Sequence, residues 1–183
     1  MTIMNYKDIL LCSEEIIKTI TNINDNIAGD YLTPAIYVAQ KSNLEGILGT
    51  ALVRAIQRLI VEDKLNLEAN KHYKELLDDY ITDYLSYAAI CEVIPIVSFK
   101  IGNTGAARTD EEKTTSLSFN EVFKLKDWYE DKMNYFGYRM QRYLIDNYNL
   151  FPELNDSTIS NIKHNLYSAA DCPIFLGGER AKK

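Results

Sequence analysis

The chain has 183 residues, 46% of them hydrophobic and 25% charged, an ordinary globular balance with enough length for one domain to bury its own core. Its net charge of −6 is spread without any basic block: residues 1–69 carry six basic and nine acidic side chains, residues 70–97 two and five, and residues 118–149 five of each. That pattern excludes a protein built to neutralise many phosphates, although a weakly acidic one can still surround DNA without gripping it.

In chain order, Met1 to Asp8 lacks a basic stretch followed by an apolar one, so no signal peptide is expected. Ser13 reads as the N-cap of a short helix carrying Ile16, Ile17 and Ile20 inward. Asn24, Asp25, Asn26 and Gly29 mark a polar loop. Thr33-Pro34 then reads as a helix start, because Thr can cap and Pro at the first position gives up an N–H that is orphaned anyway. That helix is expected to end near Lys41. Ser42 with Glu45 forms a capping-box pattern for a segment from Asn43 to Leu48, and Gly49 supplies the turn that stops it. From Thr50, the residues Leu52, Val53, Ile56, Leu59 and Ile60 keep helical spacing.

The next helix is predicted from about Asn70 to Val93. Tyr73, Leu76, Leu77, Tyr80, Ile81, Tyr84, Leu85 and Ala88 form its apolar stripe, and Asp78, Asp79 and Asp83 lie opposite. Pro95 ends or kinks it, and no apolar run approaches the ~18–20 residues of a bilayer span, so no membrane contact is expected. Residues 100–117 form a long insertion, either a loop or a hairpin, of a length that suggests function. Ser118 with Glu121 is a second capping box. It opens the longest helix, to about Tyr148, in which Phe119, Val122, Phe123, Trp128, Met133, Phe136, Met140, Tyr143 and Leu144 recur every three or four residues. At full length this helix reaches about 46 Å, more than a compact domain needs. Residues 150–183 read as a C-terminal extension beyond a helical domain at 1–149, with room for one more helix at 155–170 and an apolar group, Pro173, Ile174, Phe175 and Leu176, in a polar tail. The fold class is therefore all-α: a bundle of about four to six helices with one very long C-terminal member.

Catalytic chemistry is not visible in these residues. His72 and His164 lack the Glu-x-x-His spacing of a di-iron bundle. Gly102-Asn103-Thr104-Gly105 lacks the GK[ST] ending of a phosphate loop. Cys12, Cys91 and Cys172 give neither a zinc spacing nor a disulfide framework, which fits a reducing cytoplasm. No enzyme, metal or cofactor is expected. Asp78, Asp79 and Asp83 read as a solvated acidic face, and such a face can also line a channel. Several of the 13 tyrosines sit in helical stripes, while Tyr135 and Tyr138 are candidates for a subunit interface.

The run Leu32-Thr33-Pro34-Ala35-Ile36-Tyr37-Val38-Ala39-Gln40, followed by Asn43-Leu44 and Ile47-Leu48-Gly49, resembles the opening of head–tail connector proteins of tailed bacteriophages. The order that follows is similar too: an acidic Tyr-rich helix ending near Pro95, a loop like Ile101-Gly102-Asn103-Thr104-Gly105, and a long helix with Tyr138, Arg139, Tyr143 and Leu144. The likeness is to the connector or ring proteins of phages infecting Bacteroidetes, including the crAss-like group, and covers roughly residues 10–150. It implies a virion protein, assembled in the host cytoplasm, that forms a ring of about twelve copies between portal and tail. The ring would extend the DNA channel without binding DNA specifically and would contact the portal and further tail or ring proteins. As partner-binding residues it points to Ile101, Gly102, Asn103 and Gly105 in the insertion and to Phe151, Pro173, Ile174, Phe175 and Leu176 in the extension. Asp78, Asp79 and Asp83 are then the channel-facing candidates. The alternative is a helical adaptor or regulator acting as a monomer or dimer.

Overall fold

A computed structural model describes residues 9–21, 23, 29–102, 105–108 and 118–155. Its helices are α1 (Glu14–Thr21), α2 (Gly29–Ala39), α3 (Glu45–Leu48), α4 (Thr50–Val61), α5 (Lys71–Leu76), α6 (Thr82–Ser98) and α7 (Phe119–Asp146), with a hairpin of β1 (Phe99–Gly102) and β2 (Gly105–Arg108) between the last two. Two π-helical turns, Gln40–Leu44 and Leu77–Ile81, join α2 to α3 and α5 to α6 without a break. The described chain is thus five helical rods and one hairpin, an all-α fold.

The rod of α5 and α6 is the centre. Over Thr82–Ser98 the residues Tyr84, Leu85, Ala88, Ala89, Ile90, Cys91, Val93 and Ile94 are all buried, so apolar side chains point in every direction rather than along one stripe. A helix of that kind has to be covered on all sides. Coverage comes from α1 and α2 on one flank and from α7 on another, and α2 and α7 make no substantial contact with each other. The run Glu68–Ser98 is long and apolar enough to cross a membrane by length and composition, a correction to the shorter run read from the sequence, yet 56% of its most apolar window is buried inside this fold. Pro95 does not end α6; the helix continues to Ser98.

Local rules explain most boundaries and fail at instructive ones. Ser13 Oγ accepts the Ile16 N–H at 3.4 Å, as an N-cap should. The capping box at Ser118 and Glu121 is complete: Ser118 Oγ accepts the Glu121 N–H at 3.3 Å, and the Ser118 N–H donates to the Glu121 carboxylate at 2.7 Å. Gly49, at φ 77°, turns the chain between α3 and α4. At the end of α4, Asp63 takes a left-handed φ of 52°, its N–H donates to the Ile60 carbonyl, and the Lys64 N–H reaches the Leu59 carbonyl, a Schellman closure made without glycine.

Thr33-Pro34, by contrast, does not start α2. The helix begins at Gly29 and Pro34 sits inside it, exposed. Thr33 Oγ1 instead donates to the Glu14 carboxylate at 2.8 Å. The capping box read at Ser42 and Glu45 is also absent, because the π turn carries the helix straight through: Ser42 Oγ donates to the Val38 carbonyl at 2.7 Å, and Glu45 pairs with Lys41 at 2.6 Å.

The π turn at Gln40 has a packing role. It aims the Gln40 amide into the interior, where Oε1 accepts the Leu11 N–H at 2.8 Å and Nε2 donates to the Ile9 carbonyl at 3.1 Å. Gln57 Nε2 donates to the same carbonyl at 2.7 Å. Two buried glutamines therefore satisfy the extended backbone that leads into α1. Gln40→Ala is expected to cost about 2–4 kcal/mol, since it strands a buried Leu11 N–H and leaves a void. Ser118→Ala, at an exposed cap, should cost only about 1 kcal/mol. Urea denaturation of the two variants checks that ranking, and equal costs would mean the glutamine clamp is not satisfying buried backbone.

Candidate assembly surfaces

The seam between α6 and α7 is aromatic. Tyr80 stacks on Tyr143 with ring centroids 4.3 Å apart, and Tyr87 stacks on Phe136 at 5.1 Å. Between these pairs Arg139 lies 5.5 Å over Tyr80 and 5.7 Å from the Phe136 ring. Gly137 allows the close approach, because a β-carbon there would stand 3.1 Å from the Tyr84 ring. Beyond the end of α7, Phe151 inserts edge-on against Tyr73 at 5.5 Å and is fully buried, with Leu154 beside it at 1% exposure. The Tyr73 hydroxyl donates to the Glu153 carboxylate at 2.9 Å, and the Tyr148 hydroxyl donates to the Leu154 carbonyl. Phe151 is therefore corrected from a partner-binding residue to a core residue, and the helical unit runs past 149 to at least Leu154. The physical reason is the hydrophobic gap that α7 leaves over Tyr73 and Tyr143, which the returning chain fills.

Of the acidic candidates, Asp78 is exposed and pairs with Lys74 at 2.7 Å, and Asp79 is exposed. Asp83 instead turns towards α7 and lies 3.7 Å from Arg139. Burial pushes its carboxyl above its ordinary value, Arg139 opposes this, and the neighbouring Asp79 adds to it. In the insertion, Ile101, Gly102 and Gly105 belong to the hairpin, closed by the pair Gly102 and Gly105 and hydrogen-bonded to no third strand among the described residues. It follows α6 directly. Asn103, Pro173, Ile174, Phe175 and Leu176 lie outside the described residues.

Both described cysteines are buried, and burial pushes the Cys12 thiol up and that of Cys91 up to about 11. Protonated and enclosed, they are poor nucleophiles. No group of three His, Cys, Asp or Glu side chains among the described residues could hold a metal ion.

Two helices carry rows of exposed apolar side chains. On α7, Leu125, Trp128, Tyr135 and Tyr138 are 41–52% exposed and follow one another at helical spacing on the side away from α6. Trp128 and Phe123 belong to the same apolar recurrence as Met133, Phe136 and Met140. Both are exposed, because aromatic residues every three or four positions here serve two faces of one helix. On α2, Tyr31, Pro34 and Val38, with Tyr37 adjacent, form a second outward stripe. Tyr135 and Tyr138 were singled out from sequence. The α2 stripe was not, although the i, i+3, i+7 spacing of Tyr31, Pro34 and Val38 carried the signal.

A family model described as a family of unknown function (DUF6712) matches residues 44–163, from the first π turn through α7 and beyond. No curated protein and no solved structure matches the chain.

A pH-dependent effect follows from Asp83. Its folded-state affinity for a proton exceeds that of the unfolded chain, so ionisation costs stability: the favourable contribution is complete below the ordinary value of 3.8 and is lost as pH rises through the folded value. Asp83→Asn should be more stable than the parent protein at pH 7, with the gap in melting temperature closing below pH 4. A parent protein more stable than Asp83→Asn at pH 7 would show that the Arg139 ion pair outweighs desolvation.

Proposed function

For a chain that belongs to the DUF6712 family, we propose the role of a structural virion subunit that self-associates into a ring between portal and tail and extends the DNA channel. The observation that carries this reading is the pair of unlike apolar stripes, on α2 and α7, at different flanks of the central helix. Half-exposed Trp and Tyr side chains in rows are costly to leave in water and are the usual material of protein interfaces. Two unlike faces on separate flanks give a heterologous contact, which closes into a ring when the rotation per subunit divides the circle. The resemblance of residues 32–49 and of the following element order to head–tail connectors points the same way. DNA would pass through such a ring without specific binding, since the chain carries −6 and no long block of basic residues. The exposed Asp78 and Asp79 are candidates for the lumen.

Light scattering after size exclusion, with negative-stain microscopy, tests the reading on the full chain alone and with the portal protein of the same phage. Ring-shaped oligomers in either sample are the expected result. A species that stays monomeric or dimeric in both would favour a helical adaptor instead.

The apolar group Pro173 to Leu176 is proposed to anchor on the portal or on the adjoining ring. Deletion of residues 172–183 should weaken portal binding at least about tenfold, roughly the loss of 1.4 kcal/mol, with the circular-dichroism helix signal unchanged. A loss of helicity would make the segment part of the subunit core.

A further inference from the structure

Resting on the ring reading, we infer that the ring contact is unlike-on-unlike: the α7 stripe of one copy packs against the α2 stripe of the next. The α7 stripe comprises Leu125, Trp128, Tyr135 and Tyr138, and the α2 stripe comprises Tyr31, Tyr37 and Val38. Three observations converge on this pairing.

The first is area. Seven half-exposed large side chains, most of them aromatic, offer on the order of 100 Å2 each. That sum supplies most of the non-polar share of one standard interface of about 1,600 Å2, of which about 57% is apolar. That area is enough to make one such contact between copies.

The second is charge. Between Gly29 and Ala39 the only Asp, Glu, Lys or Arg is Asp30, at the start of α2. The α7 stripe includes Lys132, whose ammonium lies 5.5 Å over the Trp128 ring and forms no salt bridge among the described residues, and it exposes both signs around it, with Lys124 and Arg142 beside Asp127 and Asp131. Packing α2 on α2 offers Asp30 no basic partner, whereas packing α7 on α2 lets Lys132 approach it.

The third is economy of contact. A self-pairing of either stripe stops at a dimer and leaves the other stripe in water. The unlike pairing covers both stripes of every copy with one kind of contact.

A mixing experiment decides it, with Trp128→Arg to block the α7 face and Tyr37→Arg to block the α2 face. Both changes are at half-exposed side chains, and circular dichroism checks that both proteins remain folded. Each variant alone should be monomeric by light scattering at concentrations where the parent chain assembles. Mixed, they should form a one-to-one dimer and stop, with affinity at least roughly tenfold tighter than either variant for itself. The two new arginines lie on the unused faces, so they create no attraction in the dimer.

Trp128 is the only tryptophan, so the Trp128→Arg protein is silent, and fluorescence in the mixture reports the α7 face of the Tyr37→Arg protein alone. Its emission should shift to the blue and its quenching by acrylamide should fall as the silent partner is added. Self-association of either variant, or a mixture that stays monomeric, would overturn the unlike pairing. Trp128 already shielded in the monomeric Tyr37→Arg protein would also overturn it and assign the face to the chain's own residues 156–183. If the parent chain forms rings while both single variants still dimerise, the ring reading stands and this pairing falls. If the parent chain forms none and the mixture forms no dimer, both fall together.

Discussion

The whole arrangement depends on one helix with no polar side. Between Thr82 and Ser98 the central rod buries side chains in every direction, and no single neighbour can cover a cylinder of apolar surface. At about 25 cal/mol per Å2, leaving one flank bare would cost more than a domain of this size has to spare. The helices to either side are therefore recruited by the same demand. Because α1 and α2 serve one flank and α7 another, helices on different flanks of the rod each keep an outer side.

Holding α1 against that rod requires the extended backbone before it to enter the interior, and backbone cannot be buried without partners. Gln40 and Gln57, 1% and 0% exposed, provide them. Gln57 keeps one buried oxygen, Oε1, without a hydrogen bond, the residual cost of satisfying two backbone groups with fixed side-chain amides. A similar device appears at the second π turn, where both the N–H and the hydroxyl of Thr82 reach the Leu77 carbonyl five residues back. The extra residue in each turn changes the rotational phase of the helix that follows relative to the one before it.

The long helix α7 serves two masters. Its inner side closes the aromatic seam through Tyr143, Phe136 and Gly137, while its outer side presents Trp128 and Tyr135 to water. A protein concerned only with its own stability would place Lys or Glu there. Two thiols, Cys12 and Cys91, lie enclosed in the interior, and burial holds their protons tightly.

Much of this was legible in order along the chain. The capping box at Ser118, the N-cap at Ser13, the turn at Gly49 and the inward faces of Leu76, Leu85, Met140 and Leu144 follow from backbone hydrogen-bond needs and from helical spacing, which act over a few residues and are written in those residues. The start of α2, the π turns, the inward amides of Gln40 and Gln57, the burial of Phe151 and the outward turn of Trp128 were decided only when the rods came together. Thr33 and Ser42 have every local reason to cap a helix. They do not, because the central rod stabilises an uninterrupted neighbour more than a cap stabilises a new start, and Thr33 finds Glu14 instead. Phe151 and Trp128 are chemically alike to a sequence reader. Which of them faces a gap in the core and which faces water depends on where the chain lands after α7, a long-range fact that no spacing of neighbours encodes.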